Sequence, residues 1–295
     1  MPCPCTGAPQ VRGRKGMERK IRIALVQFQI VNDWLSNMAA AESLLIRAKD
    51  RGADLAVLPE IFVGPYSLEA FVRYAEPVPD GRTCERLRRW SQSLGLAVLG
   101  GSLPERDRDG RIYNTATLWD PQGELVAVHR KMHLFDVDLP GGVFFQESSV
   151  FSPGNLLTTA DVLGLKVGVA VCYDVRFPEM FRLMALAGAV AALVPGAFNP
   201  VSGPAHWELH LRSRAVENTM YVVGVSGISP PEAAYQAWGH SMVVDPFGEV
   251  LVNLGRAEGV GLAELDPARL REVRERLPLL NQRRGDLYEL RLKRQ

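Results

Sequence analysis

The sequence has little of what would assign it to several large classes of protein. Its formal net charge is only +1 over 295 residues, so there is no electrostatic reason to expect a nucleic acid or a membrane surface as partner. No stretch is apolar enough to cross a membrane or to form the core of a signal peptide. These absences predict a cytoplasmic globular protein.

Cysteine is also scarce. The cysteines are Cys3, Cys5, Cys84 and Cys172. Their spacing does not resemble a disulfide framework, so we expect reduced thiols. Cys3 and Cys5 form a Cys-x-Cys pair that would suit a soft metal ion, but no second pair accompanies it. We therefore expect residues 1–18 to be a disordered extension and residues 19–295 to form a single domain.

What the chain does contain is an internal duplication. The paired segments are 21–28 with 165–172, 53–60 with 189–196, 94–102 with 219–227, and 120–130 with 245–255. The first three pairs are short apolar strands, and the last is a hairpin that turns at a glycine. Amphipathic stretches at 34–51, 81–94, 179–188 and 204–219 predict helices between the strands. Each half therefore reads as β-α-β-α-β followed by a hairpin.

Strands so rich in Val, Ala and Leu are typical of a sheet that is buried on both faces. Two such sheets would pack face to face about a pseudo-two-fold axis, which predicts the α/β class and a four-layer α-β-β-α sandwich. An open doubly wound sheet is the alternative, but it does not account for the two hairpins. The segment 132–160 links the halves without clear periodicity, and residues 266–294 predict a helix and an arm.

The two halves differ where chemistry would be expected. Glu60 ends a strand where the second half has Gly196, and Cys172 ends a strand where the first half has Phe28. Lys131 follows the first hairpin. Ligand sites of α/β proteins lie at such strand ends. Taken singly, however, the favoured interpretations are a buried cysteine, a helix-terminal glutamate and a solvated lysine.

The local sequences decide between these interpretations. They are LPE at 58–60, RKMHLFD at 130–136 and GVAVCYDVRFPE at 168–179. Together they resemble the nitrilase, or carbon–nitrogen hydrolase, superfamily over residues 21 to 290. The resemblance implies a catalytic triad of Glu60, Lys131 and Cys172. It also implies a second glutamate that helps to position the triad, for which Glu147 is the candidate; a solvated loop acid is the alternative.

Such a triad would hydrolyse a small carboxamide. A cysteine thiol is mostly protonated at neutral pH and must be activated, which Glu60 can do as a base. Lys131 and the backbone N–H of Tyr173 are candidates to stabilise the oxyanion. Glu60 would then donate its proton to the departing ammonia and activate water against the thioester of Cys172. The expected product is a carboxylate.

A metal site is the competing interpretation of one motif. His206 and His210 have the spacing of a helical metal pair. The intervening glutamate is not in the position of a zinc-protease motif, and no third ligand is evident. We therefore expect neither a metal nor a cofactor.

Within the superfamily, the chain most resembles the ω-amidases. The segments that carry this likeness are 131–142, 145–148, 195–209, 212–222 and 237–250. The resemblance implies that α-ketoglutaramate and α-ketosuccinamate are substrates and that the protein is a homodimer or a larger homo-oligomer. Deaminated glutathione amidases share GPAHWE and GHSMVVDP, so they remain an alternative, as do N-carbamoyl amino acid hydrolases.

A keto acid amide carries a carboxylate, which calls for Arg, Tyr or backbone donors. Arg176 and Tyr66 are the candidates. The alternative for Arg176 is a structural ion pair with Asp174 or Glu179, and the alternative for Tyr66 is simple packing. The loop after Glu60 and the loop 227–237 depart from the ω-amidase pattern, and we expect both to shape the substrate pocket.

Overall fold

A computed structural model describes residues 19–139 and 143–293. The extension expected over residues 1–18, with its Cys3–Cys5 pair, lies outside the described residues. Among the described residues no helix combines the length and the apolar character that a membrane span requires.

The first half contains most of the first sheet, the helices that cover it and a separate hairpin. Its strands are β1 (Ile21–Gln27), β2 (Leu55–Val57), β3 (Ala97–Leu99), β4 (Leu103–Arg106), β5 (Ile112–Trp119), β6 (Leu125–Arg130), β7 (Asp136–Leu139) and β8 (Val143–Gln146). Its helices are α1 (Trp34–Asp50), α2 (Leu68–Arg73) and α3 (Arg82–Leu94).

The second half repeats this plan. Its strands are β9 (Thr158–Val162), β10 (Leu165–Val169), β11 (Ala191–Gly196), β12 (Tyr221–Ser226), β13 (Met242–Val244), β14 (Val250–Asn253) and β15 (Gly259–Leu265). Its helices are α4 (Pro178–Leu186), α5 (Glu208–Asn218) and α6 (Pro267–Arg276).

The sheet topology confirms the duplication. In the first sheet β1, β2 and β3 are parallel neighbours, and β5 and β6 continue the sheet antiparallel. In the second sheet β10, β11 and β12 are parallel, and β13 and β14 continue antiparallel. Two separate sheets exclude the open doubly wound alternative. Strand β4 is an addition, which extends the edge of β3 along β5.

The C-terminal strand ties the halves together. Strand β15 crosses to the first sheet and pairs antiparallel with all seven residues of β1. It occupies the place that β9 holds beside β10 in the second sheet. The first sheet is therefore incomplete until the last strand of the chain has been added.

Alternation along the strands explains the layers. Ile23 and Leu25 of β1 belong to one core with Val167 and Val169 of β10, so these faces of the two sheets pack on each other. Ala24 and its outward-facing neighbours pack with residues of α1 and α3. On the other side, α4 and α5 contact the second sheet. The result is the predicted four-layer sandwich.

Helix α1 shows how the local sequence sets an element. The Asp33 side chain caps the helix by accepting the Ser36 N–H at 2.8 Å. Buried Met38, Ala41 and Leu45 then recur at helical spacing and face the sheet.

Two predicted segments differ from the structure. The stretch 204–219 starts as a wide π-type turn over Gly203–Trp207, and the α-helix begins only at Glu208. The linker 132–160, which lacks clear periodicity, contains the hairpin of β7 and β8. The C-terminal helix is present and ends at Arg276, shortly before Pro278, which cannot continue a helix.

The inter-sheet core generates a stability prediction. We expect Leu25→Ala to lower the free energy of unfolding by about 2–5 kcal/mol, because it leaves a cavity between the sheets. Leu35 on α1 is 66% exposed, so Leu35→Ala should change that free energy by less than about 0.5 kcal/mol. Urea titration followed by circular dichroism measures both. Equal effects of the two variants would contradict the packing described.

Candidate active site

Four chemically important side chains meet at the carboxyl ends of the strands. Glu60 lies three residues beyond β2, and Lys131 directly follows β6. Cys172 follows β10, and Glu147 opens a short 3₁₀ turn after β8. All four are buried. The structure therefore brings together the predicted triad and the predicted second glutamate.

Glu60 has one occupied and one free oxygen. Its Oε1 accepts hydrogen bonds from Lys131 Nζ at 3.1 Å and from Asn114 Nδ2 at 2.8 Å. Its Oε2 is buried without a hydrogen-bond partner among the described residues. Burial raises the pKa of Glu60 above its ordinary value, although Lys131 and the nearby Cys172 thiol act in the opposite direction. The free oxygen can therefore accept a proton from Cys172.

Lys131 is the cation of the site. Its Nζ lies 2.9 Å from Oε1 and 2.8 Å from Oε2 of Glu147, in addition to its bond with Glu60. Burial alone would lower the pKa of Lys131, but the two carboxylates outweigh this effect and hold that pKa above its ordinary value. Lys131 is therefore a permanent ammonium group.

Glu147 is held rigidly in its place. Its Oε1 also accepts the Tyr66 hydroxyl at 2.5 Å, and its Oε2 accepts the Phe135 backbone N–H at 2.6 Å. With all these donors the carboxylate cannot turn toward a substrate. Glu147 is thus a fixed counter-ion of Lys131, while its part in catalysis stays a prediction.

Tyr66 lies within this network. Its single hydroxyl proton is directed to Glu147, and the oxygen also lies 3.5 Å from Glu60. The Tyr66 ring stacks on Tyr235 with 4.6 Å between ring centres. This geometry positions the glutamates, while a direct contact of Tyr66 with substrate stays a prediction.

Cys172 lies on a sharp turn. Its φ of 48° is in the left-handed region that a non-glycine residue rarely adopts. Burial raises the pKa of the Cys172 thiol well above its ordinary value, and the negative Glu60 raises it further. Lys131 and the Ala197 backbone N–H, which hydrogen-bonds the sulfur, oppose this shift. In the resting site the thiol is therefore protonated.

Gly196 explains one difference between the halves. It ends β11 at the position that corresponds to Glu60. A Cβ atom there would lie 2.9 Å from the Trp207 ring and 3.7 Å from the Cys172 Cα. The glycine thus allows Trp207 to pack beneath the turn that carries Cys172.

Asp174 joins the turn of Cys172 to the segment that follows Lys131. It accepts hydrogen bonds from the Val171 N–H at 2.9 Å, from His133 Nδ1 at 2.8 Å and from His129 Nε2 at 3.2 Å. Burial alone would raise the pKa of Asp174, but the two histidines hold it below its ordinary value. Asp174 is therefore not the ion-pair partner of Arg176 that the alternative interpretation required.

Arg176 makes no ion pair with Asp174, Glu179 or any other carboxylate of the described residues. Its Nη1 instead donates to His206 Nδ1 at 3.1 Å and to His210 Nε2 at 3.2 Å. The guanidinium also lies 4.8 Å from the centre of the Phe198 ring. The two histidines that might have suggested zinc are thus bound to a cation, and the described residues contain no cluster of three or more metal-ligating side chains.

A narrow cavity lies over Cys172. Its volume is about 10 Å³. It is lined by Phe135, Tyr173, Arg176, Ala197, Phe198 and Tyr235, among others. A neighbouring cavity of about 430 Å³ is lined in part by Glu60. Tyr235 and Ala197 line both cavities, and the Tyr235 hydroxyl donates to the Ala197 carbonyl. The loops after Glu60 and at 227–237 therefore both shape the pocket.

The sequence did not predict the contributions of three residues. They are Asn114, which binds Glu60, Asp174, which anchors the turn of Cys172, and Tyr235, which lines the pocket. A signal for Asn114 was present, since it is the one amide side chain in strand β5, which has no charged residue. Tyr235 had no comparable signal, because its contacts are with residues distant in the chain.

The buried charges generate a second prediction. Lys131→Met should lower the free energy of unfolding by about 3–5 kcal/mol, because it leaves two buried carboxylates without their cation. The double variant Lys131→Met/Glu147→Gln should be more stable than the single variant, since one of the unpaired charges is also gone. Calorimetric unfolding tests both. A single variant as stable as the wild type, or a double variant less stable than the single one, would contradict this arrangement.

Comparison with known proteins assigns the family. Residues 22–275 match the carbon–nitrogen hydrolase family. Omega-amidase NIT2 of Bos taurus is 42% identical over 272 residues, which cover 92% of this chain and 98% of that protein.

Solved structures agree. Nit3 of Saccharomyces cerevisiae, a member of branch 10 of the nitrilase superfamily, superimposes with a TM-score of 0.83 at 39% identity over 90% of this chain and 97% of its own. A mutant amidase of Nesterenkonia sp. AN1, with acrylamide added to its active site cysteine, has a TM-score of 0.73 at 29% identity over 90% of this chain and 98% of its own. The chain belongs to the carbon–nitrogen hydrolase family and is an amidase within it.

Proposed function

We propose that this amidase hydrolyses the terminal amide of short carboxylate-bearing ω-amides such as α-ketoglutaramate and α-ketosuccinamate, through a thioester on Cys172. The observation that carries the substrate class is Arg176, a cation without a carboxylate partner among the described residues, in the same cavity as Cys172. The ω-amidases among the relatives support the same substrate class.

The reaction begins with a proton transfer. The Cys172 proton passes to the free Oε2 of Glu60, and the thiolate attacks the amide carbon. Because the pKa of both groups is raised by burial, the thiol needs the base and the carboxyl can hold the proton. The transfer leaves the net charge of the buried site unchanged, so no new charge has to be desolvated.

The tetrahedral intermediate carries its negative charge on the former carbonyl oxygen. Fixed donors stabilise such an oxyanion best, and the Lys131 ammonium and the Tyr173 backbone N–H are our candidates. Glu60 returns the proton to the amide nitrogen, the C–N bond breaks, and ammonia leaves. The adduct on the active site cysteine of the Nesterenkonia amidase supports a cysteine nucleophile in this fold.

The second half of the reaction uses the same carboxyl group. Glu60 takes a proton from water, and the hydroxide formed attacks the thioester carbon. The C–S bond then breaks, and the proton returns to the sulfur of Cys172. Throughout both halves Glu147 stays bound to Lys131, Tyr66 and Phe135, which keeps the ammonium group aimed at Glu60.

The substrate prediction is tested by ammonia release, and for deaminated glutathione by release of the peptide amine, because hydrolysis of that amide frees a peptide instead of ammonia. We expect wild type to prefer α-ketoglutaramate and succinamate over deaminated glutathione, an N-carbamoyl amino acid and a nitrile. Cys172→Ala should lose all turnover, because it lacks the nucleophile, while circular dichroism shows an intact fold. Preference for one of the last three compounds would contradict the substrate class, and turnover by Cys172→Ala would contradict the mechanism.

The role of Arg176 is tested separately. Arg176→Met keeps an unbranched, flexible side chain but removes the guanidinium group and its charge. We expect KM for succinamate to rise at least about tenfold, because the substrate carboxylate loses a charged hydrogen bond. The control substrate is isocaproamide, in which an isopropyl group replaces the carboxylate; its KM should not rise. An equal rise for both amides would show that Arg176 does not bind the carboxylate.

A further inference from the structure

The guanidinium of Arg176 is bound in an unusual way. Arginine side chains that are half buried generally pair with a carboxylate, whereas Arg176 donates from Nη1 to two imidazoles. Its Nε is buried without a partner among the described residues. A neighbouring cation, Arg214, forms an ion pair with Glu217 and donates to the Arg176 carbonyl. No negative charge of the described residues therefore cancels that of Arg176.

The hydrogen bonds to Arg176 define the protonation state of both histidines. A guanidinium only donates hydrogen bonds, so the ring nitrogen that faces it has to be an unprotonated acceptor. His206 therefore carries its proton on Nε2, and His210 carries its proton on Nδ1. Burial and the nearby Arg176 both lower the pKa of His206, and the same causes lower the pKa of His210 to about 4. Both rings are neutral at neutral pH.

We propose that His206 and His210 are positioning residues that hold Arg176 toward the cavity of Cys172 without neutralising it. This inference rests on the proposed function, in which Arg176 binds the substrate carboxylate. A glutamate or aspartate at these positions would fix the guanidinium equally well, but it would compensate its charge and weaken its attraction for the substrate. Neutral acceptors fix the geometry and leave the charge available.

The local structure supports this role. His206 lies in the π-type turn and His210 in the first turn of α5, four residues later, so that both rings face the same side. Trp207 anchors the segment between them by donating from Nε1 to the His240 carbonyl at 2.9 Å. The Phe198 ring also lies 4.8 Å from the guanidinium. The cation thus contacts an aromatic face and two acceptors.

Matched variants separate positioning from general packing. His206→Asn and His210→Gln each retain an amide oxygen near the accepting ring nitrogen, whereas His206→Leu and His210→Leu remove the acceptor. We expect the leucine variants to raise KM for succinamate about tenfold with little change in kcat, and the amide variants to stay within about threefold of wild type. KM for the neutral isocaproamide should not change in any of them.

A leucine variant that impaired both amides equally, or that changed kcat alone, would overturn the proposal. So would amide variants as impaired as their leucine counterparts. If wild type did not hydrolyse carboxylate-bearing amides at all, the proposed function would fail instead, and this outcome is visible before any variant is made.

The protonation states give a readout that does not depend on turnover. Heteronuclear NMR of protein labelled at histidine distinguishes the two neutral tautomers and the imidazolium ion. At neutral pH we expect the Nε2–H tautomer for His206 and the Nδ1–H tautomer for His210. Arg176→Met should release both rings from this constraint. The opposite tautomers, or an imidazolium at either position, would overturn the arrangement.

Discussion

The ammonium group of Lys131, buried between Glu60 and Glu147, is the interaction on which the rest of the site depends. A buried charge is strongly unfavourable unless it is paired and hydrogen-bonded. Here one cation serves two carboxylates, and Asn114, Tyr66 and the Phe135 N–H bind the remaining lone pairs. The single orphan acceptor of Glu60 is Oε2, among the described residues. Among the carboxylate oxygens of Glu60 and Glu147 it is the one left without a donor in the described part of the chain.

Such a cluster can be assembled only from distant parts of the chain. Glu60 and Lys131 come from the first sheet, Cys172 from the second, and Glu147 from the segment that joins the halves. The face-to-face packing of the sheets brings these strand ends together. Strand β15 completes the first sheet from the far end of the sequence. The symmetric scaffold therefore supports an asymmetric site, in which Gly196 takes the place that Glu60 has in the other half.

Much of this could be predicted from the sequence, and the remainder has a common physical cause. The parallel strands of each half, the four main helices and the duplication follow from local periodicity, and the meeting of Glu60, Lys131 and Cys172 follows from three motifs. Strands β4, β9 and β15 lie outside the predicted segments. The hairpin of β7 and β8 lies in a segment without clear periodicity. The partner of Arg176 could not be predicted from the sequence either. Asp174 was a candidate, but its carboxylate binds His129 and His133 instead. Which side chains pair across long sequence separations depends on packing that no local pattern encodes.

The central claim is that Cys172 becomes acylated while Glu60 handles the proton. The most direct measurement is rapid-quench mass spectrometry of the enzyme mixed with succinamate, followed by peptide mapping. The account predicts a transient species, heavier by the mass of succinamate less ammonia, with the added group on the peptide that contains Cys172. Turnover without any covalent species, or an acyl group on another residue, would contradict it.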